Sequence, residues 1–70
     1  MSGSKGHRLD SLKTERLSAG LGVSELAKKS NTSDWLIRQL EVGGNCDGDE
    51  AARIANALGV SLVTLGKKDL

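Results

Sequence analysis

Proline, phenylalanine and tyrosine are absent from these 70 residues, and tryptophan, cysteine and histidine occur once each. With Trp35 as the sole aromatic, a core must be assembled from Leu, Ile, Val and Ala, which suits packed helices better than a sandwich of strands. A single cysteine excludes an internal disulfide, and with one histidine, His7, far from Cys46 in the chain, no metal cluster can be assembled. Neither metal nor cofactor is expected. Cys46 is flanked by Asn45 and Asp47 rather than by the positive charge that activates a thiol, and it reads as a loop or partly buried residue. No apolar run approaches the roughly 20 residues that span a bilayer, and the N-terminal MSGSKGHR lacks the apolar region of a signal peptide. A cytoplasmic protein is the expectation, with no membrane partner. Paired carboxylates in an evident cleft, a nucleophile with a histidine base and a phosphate loop are all missing, which makes an enzyme the poorest reading. Net charge is only +1, whereas a strongly basic face is the usual footprint of a nucleic-acid binder.

What the chain does have is helical period and glycine punctuation, at a length that makes one domain. Residues 1–8 read as a flexible basic arm whose Lys5 and Arg8 can reach phosphates, with the first four reading equally as a frayed end. Asp10 is placed to cap a first helix running to Ala19, with Leu9 as the outer half of a hydrophobic staple and Leu12 and Leu17 as its apolar stripe. Gly22 opens a second helix over 23–30, with Glu25 near its positive end and Lys28 and Lys29 near its negative end. Asn31 tolerates a left-handed backbone and ends that helix. Ser33 then caps a third, 33–42, whose Leu36, Ile37 and Leu40 recur at helical spacing, and Gly43 and Gly44 stop it. After a loop, Asp47 with Glu50 three residues on is a capping-box start for a fourth helix, closed by Gly59. Ser61 caps a short fifth helix over 62–65, and 67–70 form a tail. No strand is needed, so the expected fold is all-α, a compact bundle of five helices over residues 9–66.

Four features now converge in chain order: a small residue at Ala27 where two helices cross, a turn residue four later at Asn31, apolar anchors at Ile37 and Leu40, and the segment ALGVSL at Ala57 to Leu62. With them the chain resembles the Cro/phage-repressor type of helix-turn-helix domain, lambda-repressor-like and XRE-like, over Leu12 to Leu65. The resemblance implies a structural ion pair between Arg16 and Glu41, a task to which the arginine fork is suited. It further implies a sequence-specific DNA-binding transcriptional regulator, bacterial or phage-encoded, that acts as a homodimer on double-stranded DNA. The third helix would enter the major groove, with Ser33, Asp34, Trp35, Arg38 and Gln39 at base edges. Lys28 and Lys29, with Lys5 and Arg8 of the arm, would meet the backbone. Val60, Leu62, Val63 and Leu65 are the expected dimer contact, because a short last helix cannot bury all of them.

The chain also departs from that family. Many members carry glutamine where Val23 stands, and the loop after the third helix is acidic, with Asp47, Asp49 and Glu50. Ser30 is polar where an aliphatic residue is usual. Trp35 and Leu36 add apolar surface of the kind that marks a protein contact, so a protein-interaction module on the same fold is the alternative.

Overall fold

The computed structural model describes residues 6–66. In chain order these form β1 (His7–Arg8), α1 (Leu12–Ser18), α2 (Val23–Ser30), α3 (Asp34–Glu41), β2 (Asn45–Cys46), α4 (Gly48–Leu58) and α5 (Leu62–Gly66). None of these helices is long and apolar enough to cross a membrane.

Local backbone chemistry sets most of the boundaries. Asn31 ends α2 in the left-handed region at φ 57°, and the Thr32 amide returns to the Ala27 carbonyl at 2.8 Å, the bond that closes a helix end of this kind. Ser33 caps α3 by accepting from the Leu36 amide at 3.0 Å. Asp47 and Glu50 form the expected capping box at the start of α4, with bonds of 2.7 and 3.1 Å. Gly59 takes the left-handed conformation at its end, φ 71°. Ser61 accepts from the Thr64 amide at 3.1 Å and so starts α5. Gly44, after α3, has no substitute: a Cβ there would lie 2.8 Å from the Gln39 carbonyl oxygen, which the Gly44 amide itself approaches to make a hydrogen bond.

Packing then joins these pieces around α2, which lies against both α3 and α4. Leu12, Leu26, Ile37, Ile54 and Leu65 are fully buried, and the small Ala27, Ala51 and Ala55 beside them permit close helix approach. Ser30 is buried in this region too. Its hydroxyl donates back to the Leu26 carbonyl at 2.7 Å and pairs with the Thr32 hydroxyl at 2.8 Å, so the polar atom is satisfied within the hinge.

Several expectations are corrected. The chain does contain strands: β1 and β2 pair antiparallel, His7 with Cys46 and Arg8 with Asn45. The free arm therefore cannot extend to residue 8. Leu9 is buried, and the extended chain leading to it satisfies its amides against the loop that follows α3. The first helix starts at Leu12 with Ser11, not Asp10, at its N-cap. The Ser11 amide is used by the Leu65 carbonyl at 2.9 Å, and Asp10 instead pairs with Arg8 at 3.4 Å. Leu17 does not line the core. It is solvent-exposed, and Arg16 is the residue of that turn that points inward. Cys46 is not a loop thiol but is fully buried in β2. Leu65 is likewise fully buried within the chain, which removes it from the dimer contact. Finally, Leu36 is half-buried and packed against the core, so it offers little to a partner.

Candidate nucleic-acid interface

The outward face of α3 follows from what its inward face must do. Ile37 and Leu40 are buried and Leu36 is half-buried, which leaves Trp35, Arg38, Gln39 and Val42 exposed at spacings of three and four along one stripe. Trp35 is 68% exposed and Val42 80%. The polar pair lies between them. Among the described residues, no hydrogen bond or ion pair occupies the side chains of Arg38 and Gln39.

This stripe is held at both ends. At the C-terminal end Glu41 receives Arg16 of α1 in a two-pronged pair, Nε to Oε2 at 2.6 Å and Nη2 to Oε1 at 3.1 Å. The third prong of the guanidinium, Nη1, donates to the Leu21 carbonyl at 2.9 Å. The two side chains are only 9% and 11% exposed. The hydrogen bonds to Glu41 hold the Arg16 guanidinium above its ordinary pKa, although burial pulls the other way. At the N-terminal end the Ser24 hydroxyl of α2 donates to the Asp34 carboxylate. Asp34 is half-buried and links α3 to α2 through this bond.

The start of α2 is built unlike a phosphate seat. Glu25 reaches back to accept from the Gly22 amide at 2.8 Å, so a carboxylate of the chain itself occupies the helix N-terminus where an external anion would bind. Val23 packs against the core, which accounts for an aliphatic residue there. Cationic side chains available for a backbone lie elsewhere: Lys28 and Lys29 are exposed at the end of α2. Arg8 is exposed but shares its charge with Asp10. Lys5 lies outside the described residues.

The acidic loop is also spoken for in part. Asp47 and Glu50 cap α4, and Asp49 pairs with Arg53 at 3.3 Å. Arg53 also donates to the Asn31 carbonyl at 3.2 Å, tying the hinge to α4. Sequence reasoning missed Ser24 and Arg53. The four-residue spacing of Asp49 and Arg53 was a readable signal for one half of that arrangement, whereas nothing local marks Ser24. The Ser33 hydroxyl is engaged as the cap of α3 as an acceptor, and no acceptor for its proton is found among the described residues. Among the described residues no group of three or more His, Cys, Asp or Glu is placed to hold a metal ion. Of the apolar residues near the C-terminus, Val60 is half-buried, while Leu62 and Val63 are exposed.

The model of the helix-turn-helix family matches residues 12–65. No curated protein and no solved structure matches the chain. The family match begins where α1 begins and ends at the leucine that closes the core, so it takes in the whole helical unit: the chain belongs to the helix-turn-helix family, DNA-binding domains of the XRE, Cro/repressor type.

Proposed function

We propose that this chain is a sequence-specific transcriptional regulator that lays α3 in the DNA major groove and acts as a dimer. The observation that carries the reading is the pair Arg38 and Gln39, exposed and unpartnered among the described residues, on a helix tied to α1 and α2 at its two ends. Arginine offers two parallel donors to the O6 and N7 of guanine, and glutamine matches the N6 and N7 of adenine. Ser33 keeps a hydroxyl proton to donate, and Asp34 retains lone pairs for a cytosine amino group. Lys28 and Lys29 reach toward phosphates. With Leu65 withdrawn into the core, the dimer contact falls to Val60, Leu62 and Val63, and a two-fold axis there would set the recognition helices about 34 Å apart.

A gel-shift titration on a duplex selected from a random pool tests this. Affinity should fall steeply with salt, and the double variant Arg38→Ala, Gln39→Ala should bind the selected duplex and random duplex equally. Salt-independent binding, or a double variant that still discriminates, would overturn it. A specific observation favours a second reading, a protein-interaction module: the indole of Trp35 is mostly exposed, and such a side chain is a common anchor of protein contacts. Trp35→Ala separates the two if it abolishes capture of a protein partner and leaves DNA affinity unchanged.

A further inference from the structure

We propose that Trp35 reads the 5-methyl group of a pyrimidine, thymine or 5-methylcytosine, beside the base pair engaged by Arg38 and Gln39. The inference rests on the DNA-binding reading above and specifies what that site selects. The apolar residues of α3 divide cleanly: Leu36, Ile37 and Leu40 serve the core, while Trp35 takes no part in it. Its indole stands 68% exposed on the same stripe as the polar pair.

The neighbours of Trp35 restrict what it can meet. Asp34 precedes it and is joined to Ser24. The Asp34 carboxylate at that end of α3 repels the phosphate backbone. The base edges remain. Arg38 lies three residues further along, about 4.5 Å of helix rise, between one and two base-pair steps of about 3.4 Å. When Arg38 reaches one base pair, Trp35 therefore faces a neighbouring one. The apolar group that the major groove presents at that depth is the C5-methyl of thymine, and methylation of cytosine puts the same group at the same carbon. An indole is broad enough to cover it and, being held on a helix, loses little freedom in doing so.

The test uses the full chain and a duplex selected from a random pool. Each thymine is replaced in turn by uracil, which lacks the methyl, and each cytosine by 5-methylcytosine. At one position next to that relaxed by Arg38→Ala, removal of the methyl should weaken binding about fourfold, the effect of one buried methyl. If that position is a cytosine, its methylation should strengthen binding by the same factor. In either arm Trp35→Ala should erase the difference while leaving thermal unfolding by circular dichroism unchanged, and Trp35→Phe, which keeps an apolar ring, should retain most of it. A wild-type chain that responds less than about twofold at every position, or a Trp35→Ala chain that still discriminates, overturns the inference. Failure to select any duplex at low salt would appear before any base is altered, and it would overturn the DNA-binding reading itself.

Discussion

Replacing Glu41 with glutamine should unfold much of this protein's margin of stability, although it changes few atoms. Glu41 is the partner of a guanidinium only 9% exposed, held by bonds of 2.6 and 3.1 Å. The variant removes the charge that compensates Arg16. Burial does not relieve the problem by deprotonation, because arginine remains charged. Breaking a shielded pair from one side costs about 3–5 kcal/mol, against about 1 or less for an exposed pair. A domain of 70 residues has a total of about 3.5–10 kcal/mol at roughly 0.05–0.15 kcal/mol per residue. The loss is thus a large fraction of the whole, and at about 4–8 °C per kcal/mol it should lower Tm by at least about 12 °C. Urea and thermal unfolding followed by far-ultraviolet circular dichroism measure it. Trp35 fluorescence would be a poor probe, since the indole is already exposed. The double variant Arg16→Met, Glu41→Leu removes both charges and fills the space with apolar atoms, and should recover most of the loss. Glu41→Gln losing less than about 1 kcal/mol would refute the reasoning, because the pair would then behave as if solvated.

Cys46 and Gly44 carry expectations of their own. Burial, with Glu50 and Asp47 adding to it, pushes the Cys46 thiol from its ordinary value of 9.0 up to about 11. The folded state thus keeps its proton where the unfolded chain has lost it. The stability contributed by Cys46 is complete below pH 9 and falls by about 1.4 kcal/mol per pH unit as pH rises toward 11. Denaturation at a series of pH values checks this against Cys46→Ala, which lacks that component of the slope, and native Cys46 should also resist iodoacetamide at pH 8. Gly44→Ala should destabilise by about 1–3 kcal/mol, since its Cβ would meet the Gln39 carbonyl at 2.8 Å; urea unfolding reads the loss, and an unchanged midpoint would contradict the close approach.

What could be read in advance was whatever depends on neighbours in the sequence. Asn31, Gly59 and the Asp47–Glu50 box act through backbone geometry within one turn, so their residue types announce them. The division of α3 into inward and outward faces was legible from Leu36, Ile37 and Leu40 for the same reason. Arg16 and Glu41 are 25 residues apart and carry no local signal; the family resemblance supplied them. The β1–β2 pairing has two residues in each strand, too few for alternation to show. Asp10 is a good capping residue type, yet the helix begins after Ser11, whose amide is held by the Leu65 carbonyl, a contact from the far end of the chain that no local pattern reveals. In α5, Val63 and Leu65 look alike as residues. Only packing determines that one faces solvent and the other fills the core.

Because α3 is fastened to α2 through Asp34 and to α1 through Glu41, any swing of the helix would break contacts with both neighbours. Arg38 and Gln39 thus sit on a base whose orientation is fixed before any partner arrives. Association then has only the side chains to order, not the helix, at about 0.5–1.5 kcal/mol for each long side chain. The ordering of α3 is thus settled on folding, and the entropy it has already given up favours a lasting complex.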